Sequence, residues 1–229
     1  MPSATSEAFR LLLGGDPELW GIIALSVRVS ITALLIATPL AVAIGYWLAT
    51  ARFPMRRLLI IALQSLLAFP TVVVGLILYM LLSRRGPLGA WQLLFTPDAM
   101  ILGQILIAFP VLASFALAAI QSADPRIRET ATSLGATRWQ AAWTLLREVR
   151  FGVLAGVCNG FGRVISEVGA ALMLGGNIAG ATRTMTTAIA LETSKGEFAQ
   201  GIALGLVLMA LALAINVAFA LLQGRGGAS

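Results

Sequence analysis

Four stretches without one charged residue, 29–51, 58–83, 99–123 and 198–224, most constrain what this chain can become. Each exceeds the roughly 20 residues an α-helix needs to cross the hydrocarbon of a bilayer, where only helices and closed barrels satisfy their own backbone polar groups. A fifth stretch, 151–175, is equally apolar except for Arg163 and Glu167. Composition agrees, since 59% of the 229 residues are apolar and 11% charged, outside the range of soluble domains. The expected fold class is therefore an all-α polytopic membrane protein with five transmembrane helices.

Basic residues orient such a bundle. If five spans alternate, the segment with Arg52, Arg56 and Arg57, the polar stretch 121–150 and the tail with Arg225 share one side and hold nine of the sixteen Lys and Arg residues. That side is expected to be cytoplasmic, which leaves the amino terminus outside and the carboxyl terminus inside. Trp20 and Trp47 bracket roughly 40 Å of helix, one bilayer with its headgroups. The net charge of +6 then reflects topology and implies no nucleic acid. Residues 1–15 form an expected extracytoplasmic segment, with 6–13 along the outer surface. They carry too little charge and apolar length for a cleaved leader, so the first span is expected to direct insertion. Residues 16–224 form one membrane domain and 225–229 a cytoplasmic tail.

What is missing narrows the chemistry. The chain has no histidine and one cysteine, Cys158, which excludes a Ser-His-Asp triad, imidazole metal sites and an internal disulfide. It has no Gly-x-x-x-x-Gly-Lys-Ser/Thr loop, so it is not itself an ATPase. Pro39, Pro70 and Pro110 lie within the first three spans, where each removes a helical hydrogen bond and favours a kink. Ala68-Phe69-Pro70 and Ala108-Phe109-Pro110 echo one another.

The polar stretch 121–150 reads as a helix, a turn and a second helix between two spans. Asp124 caps a helix start, Pro125 suits its first position, and Gly135 can adopt the left-handed conformation that ends it. The expected helix covers ten residues, roughly 15 Å. Ile127, Ala131 and Leu134 share one face, with Arg126, Arg128, Glu129, Thr132 and Ser133 around the rest. So short an amphipathic helix outside a membrane bundle suits insertion into a groove of another protein.

This stretch resembles the cytoplasmic loop of the membrane subunits of ATP-binding-cassette importers. The loop pattern appears here as Glu129-Thr130-Ala131, then Gly135, then Leu145, with Arg147-Glu148 where the pattern has Leu-Pro. A second resemblance is more specific. The runs Gly160-Phe161-Gly162-Arg163-Val164-Ile165-Ser166-Glu167-Val168-Gly169 and Gly175-Gly176-Asn177-Ile178-Ala179-Gly180-Ala181-Thr182-Arg183-Thr184 look like the permease subunits of tungstate importers. A looser skeleton is similar to molybdate permeases, with Ser166 in place of a glycine. The resemblance covers about residues 16–222. It implies the type I importer permease fold, a homodimer and two copies of a separate cytoplasmic ATPase that holds ATP and magnesium. It also implies an extracytoplasmic binding protein that delivers the oxyanion. Arg126, Ile127, Arg128, Glu129, Thr130, Ala131, Leu134 and Gly135 would then form the ATPase-coupling helix.

Within the fourth span, Arg163 and Glu167 stand one helical turn apart, near mid-bilayer, and are expected to satisfy each other. Two readings stand: Arg163 offers positive potential to an anion in transit, or the pair only locks helices together. Asn177, Thr182, Arg183 and Thr184, after the glycine breakers, supply amide, hydroxyl and guanidinium donors for a tetrahedral dianion. They suit loop capping equally well. Two other classes of function compete. An ion-coupled transporter needs titratable groups along its path, and Glu167 alone lies deep in a span. A non-transporting scaffold leaves the buried charges without a role.

Overall fold

The computed structural model describes Arg10 and residues 13–226, with side chains to residue 221. The outer segment expected at 6–13 therefore falls outside the described residues, apart from Arg10 and Leu13. Every regular element among them is helical: α1 Pro17–Thr50, α2 Arg56–Leu67, α3 Thr71–Leu82, a 3₁₀ turn Gly89–Trp91, α4 Pro97–Ser122, α5 Pro125–Ser133, α6 Arg138–Glu148, α7 Arg150–Ile165, α8 Gly169–Gly175, α9 Met185–Lys195 and α10 Phe198–Gly226.

Three helices, α1, α4 and α10, are individually long and apolar enough to cross a membrane, and two bent pairs bring the count to as many as five. The starts of α1 and α4 are written in local sequence. Asp16 Oδ1 accepts from the amides of Glu18 at 2.9 Å and Leu19 at 3.0 Å, with Pro17 at the first position. Thr96 caps α4 in the same manner through the amide of Ala99.

Two expected spans are interrupted. The stretch 58–83 is broken into α2 and α3 with a bend of 98°, and 151–175 into α7 and α8 with a bend of 61°. At the first break the amides of Ala68 and Phe69 turn back onto Ser65 and Leu66, and Pro70 opens α3 with an extended ψ of 121°. Pro39 and Pro110, by contrast, stay inside continuous helices. Proline thus weakens a helix everywhere, but surrounding packing decides where it breaks.

Small residues build the centre. Ala33, Ala37, Ala41 and Gly45 recur every four residues on α1, all buried, and Gly45 lies against Ala113 and Ala116 of α4. A Cβ on Gly45 would stand 2.8 Å from Ala116 Cβ and 2.9 Å from the Ala113 carbonyl oxygen. Gly152, Gly156 and Gly160 bring α7 equally close to Ala119, Phe115 and Leu112 of α4. In a bilayer, where lipid tails are as apolar as leucine, such close approach rather than hydrophobic burial holds helices together. At the periphery, Met209, Leu213, Val217 and Leu221 form an exposed stripe along α10.

Candidate functional site

Helix α5 stands away from the bundle and is closed at both ends by its own residues. The Arg126 amide donates to Asp124 Oδ1 at 2.9 Å. At the other end Gly135 has φ +83°, its amide donates to the Thr132 carbonyl at 3.0 Å, and the Ala136 amide donates to the Ala131 carbonyl at 3.0 Å. This is a Schellman ending, which satisfies carbonyls that an isolated helix leaves bare. The helix is nine residues long, one fewer than expected, because Leu134 is its C-cap.

Of the apolar face, Ile127 and Ala131 are half-buried, Ile127 beside Ala119 of α4 and Gly152 of α7, whereas Leu134 is 82% exposed. Arg126, Arg128, Glu129 and Thr130 are exposed. A capping box between Thr137 and Gln140 starts α6 and fixes its direction relative to α5.

Sequence patterning missed the partners of α5. A cleft of about 590 Å³ lies between α5 and the connection after α1, with Arg52, Arg56, Asp124, Arg128 and Glu129 on its walls. Arg56 Nε donates to the Leu48 carbonyl at 2.6 Å, so a cation clamps the carbonyl end of α1 where the helix dipole favours positive charge. Arg52 and Arg56 thus have a structural role beside their bearing on topology. Their position shortly after a span end was the available signal.

The second constellation forms where the two broken spans meet. A Cβ on Gly169 would stand 2.5 Å from Val72 Cγ2, and one on Gly75 2.8 Å from Ala170 Cα, so α3 and α8 are in contact just beyond their breaks. The break between α7 and α8 is held open by side chains. Ser166 Oγ donates to the Gly162 carbonyl at 2.6 Å, Gln104 Nε2 to the Val164 carbonyl at 3.3 Å, and Thr186 Oγ1 to the Glu167 carbonyl at 2.7 Å. Neither Gln104 nor Thr186 was legible as a partner of this break, because both are remote in sequence.

The expected Arg163–Glu167 pair does not form. The break falls between the two residues and removes the one-turn geometry that would have joined them. Glu167, 6% exposed, turns its carboxylate onto the Ala170 amide at 3.1 Å and caps α8. Arg163 is exposed and lies beside the other break, in a small cleft with Phe69, Thr71 and Pro110. Among the described residues the ion pairs are Arg183–Glu18 at 3.3 Å and Lys195–Glu192 at 3.1 Å.

The hydroxyl-rich segment after α8 folds inward. Gly176, Asn177 and Gly180 have positive φ and reverse the chain. Thr182, fully buried, donates its hydroxyl to the Gly175 carbonyl and accepts from the Ile178 amide at 3.0 Å. The hydroxyls of Thr184 and Thr187 engage each other at the start of α9, and the Met185 amide donates to Ser26 Oγ at 2.8 Å. Asn177 Nδ2 reaches the Thr187 carbonyl at 3.5 Å, and Arg183 reaches Glu18 on α1. Asn177, Thr182, Arg183 and Thr184 are thus brought together, each with a hydrogen bond within the chain, while Asn177 Oδ1 and Arg183 Nε are buried without a partner among the described residues.

A small-residue bundle with interrupted apolar spans and a capped helix held out between two of them has the architecture of a membrane-embedded helical protein. The chain belongs to the family described as binding-protein-dependent transport system inner membrane component, whose profile matches residues 18–225. It is 41% identical over 216 residues to the tungstate uptake system permease protein TupB of Peptoclostridium acidaminophilum, covering 94% of this chain and 95% of that one. It is 44% identical over 164 residues to TupB of Campylobacter jejuni, covering 72% and 69%. The molybdenum transport system permease protein ModB of Escherichia coli K12 is 31% identical over 192 residues, covering 80% and 83%. Among solved structures, an amino acid ABC transporter superposes with a TM-score of 0.67 at 17% identity, over 93% of this chain and 96% of the other, a likeness of fold. The subunit is therefore a transport component rather than an enzyme, and it belongs in the inner membrane.

Proposed function

We propose that this chain is the permease subunit of an ATP-driven tungstate importer. It works as a homodimer with two copies of a separate cytoplasmic ATPase and an extracytoplasmic binding protein. The observation that carries this reading is the 41% identity to a tungstate permease over nearly the whole chain, combined with a free-standing α5 in which only Ile127 and Ala131 are half-buried. The five-span count, with the amino terminus outside, is supported by the two bent pairs and by the gathering of Arg52, Arg56, Arg128 and Arg138 around one end of α1. The membrane domain then spans 16–224 with its coupling loop at 121–150.

A second copy is supported by two in-span guanidiniums, Arg28 and Arg163, that are exposed in the single chain. Charges cannot face hydrocarbon cheaply, so a partner subunit or an aqueous path must cover them. In the proposed cycle ATP binding closes the ATPase dimer, α5 moves with its groove, and the two membrane subunits rock so that the path opens outward to the loaded binding protein. Hydrolysis returns it inward. Arg163, beside both breaks, supplies positive potential to the dianion in transit. Asn177, Thr182, Arg183 and Thr184 brace the outer end of the path, and Glu167 holds α8 in place.

The test is reconstitution of the chain with its ATPase and binding protein in vesicles. ATP-dependent tungstate uptake that excess molybdate suppresses weakly is the expected result. Uptake of molybdate in preference to tungstate would favour the reading suggested by the ModB likeness, and absence of any ATP-dependent uptake would remove the transport reading.

A further inference from the structure

We infer that the groove between α1 and α6 is a binding site for an anionic diacyl phospholipid, its acyl chains against the apolar walls and its phosphate against Arg138 and Arg128. The groove holds about 600 Å³, with Pro39, Ala43 and Tyr46 on one side and Trp139, Trp143 and Leu146 on the other. Trp139 is 87% and Trp143 59% exposed, and two bare indoles beside a membrane span are stable at a headgroup boundary rather than in bulk water.

Charge separates this groove from the neighbouring cleft. The cleft on the other side of α5 mixes Asp124 and Glu129 with its arginines, whereas the groove is lined by Arg128 and Arg138 and, among the described residues, by no carboxylate. The guanidinium of Arg147 lies 5.4 Å from the Trp143 ring and adds a third positive charge nearby. A cavity that is apolar along its walls and basic in charge complements a lipid with a net negative headgroup better than a zwitterionic one, whose ammonium offsets its phosphate.

Depth separates a lipid from a protein occupant. The α1 wall runs from Thr50 back to Pro39, roughly 16 Å of helix that lies within the membrane span. A water-soluble ATPase cannot follow it there, whereas an acyl chain can. The site rests on the proposed placement of α5 and α6 at the membrane boundary. A lipid held here would tie α1 to the α5–α6 unit and stiffen the connection between them.

The test is native mass spectrometry of the full chain in detergent, titrated with dioleoyl phosphatidylglycerol or dioleoyl phosphatidylcholine. Wild type is expected to retain phosphatidylglycerol in preference to phosphatidylcholine. Arg138→Gln should weaken phosphatidylglycerol binding about fivefold and leave phosphatidylcholine unchanged, as expected for one surface guanidinium against an anionic lipid. Ala43→Trp, which fills the groove from α1, should abolish the preference, and Arg57→Gln, an exposed cation outside the groove, should not alter it. Equal retention of the two lipids, or phosphatidylglycerol binding unaffected by both Arg138→Gln and Ala43→Trp, would overturn the site. Displacement of phosphatidylglycerol by added ATPase would instead give the groove to that protein. Either failure would leave ATPase capture by the wild-type chain intact, so it is distinguishable from failure of the transport reading.

Discussion

Helix α5 and the break between α7 and α8 are both interruptions of an apolar chain, yet they are made in opposite ways. Asp124, Pro125 and Gly135 close α5 from within twelve residues of sequence, and nothing stands within 4 Å of a Cβ placed on Gly135. The break at 166–168 is held by Gln104, Thr186 and the contact of α8 with α3, from residues as remote in sequence as Val72, which meets Gly169. One interruption is local chemistry on the outside of the bundle, which we propose meets the ATPase. The other is tertiary packing buried in the bundle, and the two should respond differently to substitution.

The largest effect is expected where the breaks touch. Gly75→Val places a Cβ against the Ala170 backbone at 2.8 Å and should destabilise the folded protein by about 1–3 kcal/mol. A clear fall in melting temperature in detergent would show it, whereas Gly162→Val, where a Cβ meets nothing within 4 Å, should change little. Equal behaviour of the two variants would break the distinction between packed and open glycines.

Arg163→Gln comes next. It should slow oxyanion uptake about tenfold, equivalent to a barrier change of about 1.4 kcal/mol, while assembly and melting temperature persist. Because Arg163 and Glu167 are not paired, Glu167→Gln should not reproduce that loss: its amide oxygen can still accept from Ala170. Matching losses in the two variants would restore a functional link that the geometry lacks.

Gly135→Val acts on the other interruption. A β-branched residue at φ +83° costs about 1–2 kcal/mol, confined to the end of α5. Membrane insertion and melting temperature should hold while recovery of the ATPase in pull-downs falls several-fold. Unchanged recovery would mean that the end of α5 does not meet the ATPase.

How much was legible follows the same division. The caps of α1, α4 and α5 stood in the sequence because Asp16, Thr96, Asp124 and the prolines after them act on amides two or three residues away. Charge-free length marked the apolar segments, of which three are continuous helices long enough to span and two are bent pairs. The bends were not: three prolines gave the same local signal, and only Pro70 coincides with a break, while the break at Ser166 has no proline at all. The supposed Arg163–Glu167 pair failed for this reason, since one-turn spacing joins two residues only if the helix continues between them. The inward turn of Thr182 and Thr184 was equally hidden, because hydroxyls read the same whether they face a ligand or a neighbouring carbonyl.

The smallest effect is expected at Pro70. If α3 is held by Gly75 against Ala170 and by Val72 against Gly169, Pro70→Ala should leave the 98° bend in place and uptake within about twofold of wild type, well below the tenfold that 1.4 kcal/mol represents. A straightened α2–α3 helix, seen as lost uptake, would make this break as local as α5.

The most direct test of the coupling role of α5 is site-specific cross-linking in native membranes. With Cys158→Ala as background, Leu134→Cys at the C-cap of α5 and Gln92→Cys on the connection between α3 and α4 would each be offered a short thiol cross-linker. A cross-link from position 134 to the cytoplasmic ATPase that varies with nucleotide is expected, and none from position 92. A cross-link from position 92 but not from position 134 would contradict both the topology and the coupling role.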